Sequence, residues 1–182
     1  MVHVTGRDIA ALLNPRPVVL LSCCDSGGTP NAMTAIWHTP ISHEPPVVGV
    51  SIGATRYSHR LIEETQEFVL NIVGPAFQQA VRICGNYSGS TTDKTLQAGL
   101  RWQNSHSVRP PRIADALGYL ECRVVETLPF GDHSLFVASV LYAEAQESCF
   151  SGGSEDALSD VLLCRQREQF GCWGPLSRSK QP

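Results

Sequence analysis

Apolar positions along this chain follow two rhythms, alternation or short solid runs for strands and three-to-four-residue spacing for helices. Residues 7–13 predict a short helix that Asn14-Pro15 stops. From Pro17 the chain turns β-rich, with Val18-Val19-Leu20-Leu21-Ser22-Cys23, and Asp25-Ser26-Gly27-Gly28-Thr29-Pro30 has the composition of a turn. Asn31 to His38 reads as the return strand, broken by Pro40 and by Pro45-Pro46, and Val47 to Ile52 as a further apolar strand ending at Gly53. Between Thr55 and Thr65 the spacing predicts a helix that turns Leu61 and Ile62 inward and Arg60, Glu63 and Glu64 to water. Phe68 to Val73 is a strand and Pro75 to Cys84 a helix; a polar, Gly-rich loop over 85–95 leads into a short helix at 93–98.

The clearest pair is a hairpin, with arms Leu117 to Leu128 and Ser134 to Ala145 around Phe130-Gly131-Asp132. Leu135, Val137 and Leu141 alternate with Phe136, Ala138, Val140 and Tyr142 in its second arm, so both faces are mostly apolar. That pattern predicts cover on both sides, as in a barrel whose outer wall meets a helix or another subunit. About six or seven strands with a few short helices, in an order that is not a βαβ repeat, predict a mainly β (α+β) fold, an antiparallel barrel with peripheral helices. A length of 182 residues fits one domain over 1–182, with its core at about 14–171 and a C-terminal tail at 174–182.

Composition narrows the function. Hydrophobic residues make up 42% and charged residues 17%, and so low a charge hints that a second subunit covers part of the surface. The net charge of −3 and the lack of a Lys/Arg stripe argue against nucleic acid as a partner. The apolar runs Pro17 to Leu21 and Leu135 to Val140 are far too short for a membrane span, and the N-terminus lacks the order of a signal peptide. The expectation is a soluble, cytoplasmic protein.

Seven cysteines, at 23, 24, 84, 122, 149, 164 and 172, form no CxxC pair, so no zinc site is expected. Cys23 and Cys24 fall on opposite faces of a strand and read as buried reduced thiols, a redox dithiol being the alternative. GxGxxG, Walker A, HExxH and GxSxG motifs are all absent, and six histidines are scattered. Pattern and composition stop at a soluble α+β barrel.

Longer fragments go further. Asn14-Pro15-Arg16-Pro17-Val18-Val19-Leu20 and Pro30-Asn31-Ala32-Met33-Thr34-Ala35-Ile36-Trp37 resemble the opening of flavoredoxin and the flavin reductase-like family. The resemblance continues through Glu44 to Ile52, Arg56-Tyr57-Ser58-His59, Glu67 to Ile72, Ser88-Gly89 with Asp93-Lys94, and Gly131-Asp132-His133-Ser134-Leu135-Phe136-Val137. It reaches the Phe170-Gly171 region, with the family's order and gaps.

The resemblance implies a split barrel that dimerises and holds flavin mononucleotide (FMN) non-covalently, with NAD(P)H as electron donor and a free flavin, redox protein or monooxygenase as partner. It also implies a cofactor site of Asn31, Ala32, Met33, Thr34, Trp37, Ser51, Ile52, Gly53, Arg56, Ser58, Ser88, Lys94, His133 and Phe170.

Physical reasons accompany these positions. Small side chains at 31–34 let backbone N–H groups approach the edge of the isoalloxazine ring, where reduction develops negative charge. Ser51, Arg56, Ser58 and Lys94 supply cations and hydroxyls for a phosphate, and a helix starting near Tyr57 points its N–H groups at the same place. Trp37 packs against the ribityl chain or ring, or is plain core. His133 is the catalytic candidate, a proton donor beside the flavin, with a phosphate partner or a turn histidine as alternatives. Ser58 stands where the family commonly has Thr, which preserves the hydroxyl. Phe170 stands where the family covers the flavin with an aromatic, and Trp173 is its rival. Three readings follow: an NAD(P)H:flavin reductase, a flavoredoxin-like carrier without its own nicotinamide site, or a barrel that has lost its flavin.

Overall fold

The computed structural model describes residues 1–150, 161–166 and 169–172. Trp173, the loop expected at 152–156 and the tail at 174–182 lie outside the described residues.

A 3₁₀ helix, Gly6–Leu13, opens the chain and ends where expected, before Asn14-Pro15. The strands that follow are β1 (Arg16–Pro17), β2 (Val19–Cys24), β3 (Pro30–Ala35), β4 (His38–His43) and β5 (Pro46–Gly53). Then come α1 (Tyr57–Thr65), β6 (Glu67–Ile72), α2 (Gln78–Asn86), α3 (Lys94–Gln97), β7 (Trp102–Gln103) and β8 (Arg112–Ile113). The long hairpin β9 (Gly118–Phe130) and β10 (His133–Ala145) precedes α4 (Glu147–Phe150), β11 (Leu163–Gln166) and β12 (Gln169–Gly171).

Seven strands form one antiparallel sheet in the order β3-β2-β6-β9-β10-β5-β4. Its inner side chains meet in one core: Leu21 and Cys23 of β2 share a cluster with Val50 and Ile52 of β5, from the opposite half of the sheet. The sheet is therefore curled into a barrel, and because β3 and β4 are its two edges, the barrel is split between them. The expected antiparallel barrel with peripheral helices is the observed fold. Among the described residues, no helix is long and apolar enough to cross a membrane.

Alternation along β2 explains how one strand serves two cores. Val19, Leu21 and Cys23 face the barrel interior, whereas Val18 and Leu20 face a second cluster with Val81 and Cys84 of α2, Ile113 and Leu162. The vicinal cysteines fall on opposite faces, both buried and unbridged.

The return strand differs from expectation at Pro40. Instead of one strand ending there, the chain breaks at Ile36-Trp37 and β4 runs through Pro40. An edge strand tolerates the missing N–H, and the register shift between Pro40 and Ser42 absorbs the misfit. Within this chain β10 is covered on its inner face, and its outer face is the one expected to meet a helix or another subunit. Ser134, Phe136 and Ala138 are buried inward, but Leu135 and Val137 outside are half-buried and Leu141 is exposed. Phe136 is wholly buried and stacks edge-on against His59 at 5.1 Å. Phe136→Ala should lower unfolding free energy by about 3–5 kcal/mol in urea titration, the usual loss for emptying a buried aromatic site.

Candidate functional site

At the split, the connection from β3 to β4 faces the end of β5, the start of α1 and the end of α2. They enclose a cavity of about 360 Å³ lined by Met33 to Trp37, Ser51 to Gly53, Thr55 to Ser58, Cys84, Gly85, Tyr87, Ser88, Lys94 and His133. Since β3 is an edge, its outer N–H and C=O groups along this wall have no partner strand among the described residues. Thr34 ties that edge to α2 by donating from Oγ1 to the Val81 carbonyl at 2.6 Å. Gly85 lies beside Thr34, where an added Cβ would make only ordinary contact with the Thr34 Cβ at 3.5 Å.

The charge of the lining is one-sided: it contains Arg56 and Lys94 and no carboxylate. Lys94 is 3% exposed, and its Nζ donates to the carbonyls of Tyr87 at 3.2 Å and Cys84 at 3.4 Å. An ammonium has three protons, so one remains for a ligand. Burial holds this amine below its ordinary pKa. Burial also pushes the neighbouring Cys84 thiol up to about 11, so at neutral pH no thiolate competes for the ammonium. Asp93 fixes the start of α3, its Oδ1 accepting from Leu96 N at 3.1 Å and from the Thr95 hydroxyl at 2.8 Å. Arg56 is the residue before α1, and among the described residues no side chain caps that helix, so the N–H groups of Tyr57 and Ser58, both lining residues, lack a capping partner beside the cavity.

His133 forms the opposite wall. It pairs across the sheet with Gly53, and a Cβ at Gly53 would stand 3.6 Å from its Nε2. Its Nδ1 lies 2.7 Å from Asp132 Oδ1, and Trp37 stacks on the imidazole with centroids 4.8 Å apart. Trp37 is thus a partly exposed wall of the cavity rather than core.

Eleven of the expected positions line this cavity: Met33, Thr34, Trp37, Ser51, Ile52, Gly53, Arg56, Ser58, Ser88, Lys94 and His133. Asn31 and Ala32 do not; both are buried behind the wall. Phe170 lines an adjoining cavity of about 810 Å³, where Arg82 lies over its ring at 5.4 Å. The two cavities share Thr34, Ile36, Arg56 and Gly85. Sequence reasoning missed Thr55 and Tyr57, and with them Ala35, Ile36, Cys84, Gly85 and Tyr87. The first two flank Arg56 and were within reach of the motif, whereas the end of α2 carries no local sign that it meets β3.

The family model of the flavin reductase like domain matches residues 12–165. The chain belongs to the flavin reductase-like family. Within it, an uncharacterized protein of Archaeoglobus fulgidus is 38% identical over 127 residues, covering 70% of this chain and 71% of that protein. The reductase component of a 4-nitrophenol 4-monooxygenase/4-nitrocatechol 2-monooxygenase from Rhodococcus opacus is 31% identical over 118 residues, 65% of this chain and 60% of its own length. Among solved structures, an FMN-binding protein from Thermus thermophilus with bound 1-cyclohex-2-enone superposes with a TM-score of 0.81 at 24% identity, covering 94% of this chain and 92% of that one. That likeness establishes the fold of this flavin reductase-like chain; its cavity chemistry rests on the residues described above.

Proposed function

We propose that this chain is an FMN-binding oxidoreductase, an NAD(P)H:flavin reductase that passes electrons from a nicotinamide through FMN to a flavin or redox partner. The observation that carries the reading is the cavity at the split, which combines Arg56, Lys94 and the uncapped start of α1 with no carboxylate in the lining. A dianionic phosphate suits that charge, and hydroxyls of Ser51, Thr55, Ser58 and Ser88 add donors. The volume falls within the range of about 300–1,000 Å³ typical of small-ligand sites.

Bound there, the flavin supplies the hydride-accepting redox chemistry. The chain supplies placement and charge. Arg56 and Lys94 hold the phosphate end, the free edge of β3 presents backbone donors and acceptors to a ring, and Trp37 gives a flat apolar wall. Donation of the His133 Nδ1–H to Asp132 turns Nε2 towards the cavity side, where it accepts a proton when neutral and donates one as imidazolium. Phe170 and Arg82 extend the site into the adjoining cavity.

A monooxygenase partner for the reduced flavin follows by analogy with the reductase component from Rhodococcus opacus. Homodimerisation belongs to the same reading, supported by exposed Ile41 and Leu141 on the outer wall.

Anaerobic stopped-flow mixing of the FMN-loaded protein with NADH and NADPH is the test. Bleaching of the flavin band by either is expected. A flavin that neither nucleotide reduces, but a ferredoxin-type donor does, would replace the reductase with a flavoredoxin-like carrier.

A further inference from the structure

Asn31 sits behind the cavity wall with its side-chain amide directed at a residue that lines it. We propose that Asn31 is a positioning residue for phosphate binding, fixing the Ser58 hydroxyl as a donor into the cavity beneath a loop that only Gly89 allows to close. The inference rests on the reading of the cavity as a flavin-phosphate site and deepens it.

Asn31 is 4% exposed, on β3 opposite Cys23, and its Nδ2 donates to Ser58 Oγ at 2.7 Å and to Cys23 Sγ at 3.5 Å. A hydroxyl that accepts at its oxygen keeps its own proton for another acceptor. Ser58 lines the cavity with Arg56 and Lys94, and besides Asn31 its side chain meets the Cys23 thiol. The Cys23 sulfur is its one nearby rival acceptor, and a weak one. Burial keeps that thiol neutral, pushed up to about 11.

Asn31 Oδ1 is buried without a hydrogen-bond partner among the described residues. A Cβ at Gly89 would stand 2.2 Å from it, so the oxygen faces a glycine Hα and makes at best a weak C–H···O contact. This fixes the amide. Reversed, it would press its N–H protons against Gly89 with no acceptor there, while its oxygen took the Ser58 proton. The unpartnered oxygen is a destabilising feature, and what it accompanies is the donor to Ser58. Gly89 lies in the loop that leads from Ser88 to Lys94, so the same contact closes the loop carrying two lining residues.

The test measures FMN and riboflavin affinities by quenching of flavin fluorescence, because riboflavin is the same ring and ribityl chain without the phosphate. Asn31→Ala and Ser58→Ala should each weaken FMN about tenfold and riboflavin less than about twofold. The double variant should be no worse than Ser58→Ala alone, and Ser58→Thr should retain FMN affinity. Asn31→Asp keeps the shape, removes the donor and recruits the Ser58 proton, so it should also lose FMN selectively. Gly89→Ala should weaken FMN by displacing the loop. Equal losses for both flavins, or additive losses in the double variant, would overturn the assignment and make Asn31 merely structural. A wild-type protein that binds riboflavin as tightly as FMN would instead remove the phosphate site itself.

Discussion

Lys94→Met is expected to stabilise the ligand-free protein while weakening FMN binding by about 10- to 100-fold. The opposite signs share one origin. Lys94 is buried among carbonyls, with no carboxylate at ion-pair distance among the described residues. Such an ammonium has lost most of its water, and methionine of similar shape relieves that penalty while giving up two carbonyl bonds. The net gain should be about 1–2 kcal/mol, read as a higher urea midpoint. With phosphate present, the same ammonium makes a charge-assisted bond, and its removal forfeits about 1.5–3 kcal/mol of binding.

The pH dependence follows from the same displacement. Burial lowers the Lys94 pKa from 10.5 in the folded chain, so between that lowered value and 10.5 the unfolded chain binds more protons. Stability of the ligand-free protein should therefore rise with pH across that window, its Lys94 penalty being full below it and gone above it. FMN affinity should move the other way, falling as pH rises through the lowered pKa and the ammonium discharges. Lys94→Met should flatten both trends in that window.

Glu121→Leu should lower unfolding free energy by about 3–5 kcal/mol, the scale expected when one partner of a buried charge cluster is removed. Glu121 is wholly buried, and its carboxylate accepts from the backbone of His106 at 2.9 Å and Ser107 at 2.6 Å. Arg112, 3% exposed, lies 3.8 Å from the same carboxylate and reaches Glu144 at 2.6 Å, with Tyr119 under its guanidinium at 4.8 Å. Leucine would strand two N–H donors and leave Arg112 with one half-exposed carboxylate. Thermal melts should report the loss, and amide exchange at His106 and Ser107 should accelerate. FMN affinity should stay close to that of the wild type at temperatures where the variant is folded, since none of these residues lines the cavity.

Period-two alternation was enough to find the β9–β10 hairpin, because Leu120, Cys122 and Val124 on one arm and Phe136, Ala138 and Val140 on the other keep one parity against the core. The register shifts after Val137 and Val140 carried no such signal. Alternation also placed Cys23 and Cys24 on opposite faces of β2. Pro40 misled, because a proline is a break only where both sides of a strand are paired, and the sequence does not announce an edge. Asn31 was expected at the ring edge, since a polar residue in a strand beside a motif reads as facing a ligand. It points inward because it shares parity with Met33 and Ala35, which pack on the barrel core, and meets Ser58 there. Glu121 and Arg123 look alike in the sequence, two residues apart on one strand. One is wholly buried and the other half-exposed, because only Glu121 lies under the 104–107 loop. The Arg56 and Lys94 motifs needed the resemblance, since nothing local distinguishes a phosphate-binding cation from a solvated one.

Equilibrium titration of the flavin-free protein with FMN and with riboflavin, in low and high salt, bears most directly on the cation-lined cavity. Saturable FMN binding, about 100-fold tighter than riboflavin and weakened by salt, is the result predicted from two cations that have no carboxylate partner among the described residues and face a dianion. Equal affinity for the two flavins, unaffected by salt, would mean that Arg56 and Lys94 do not hold the phosphate.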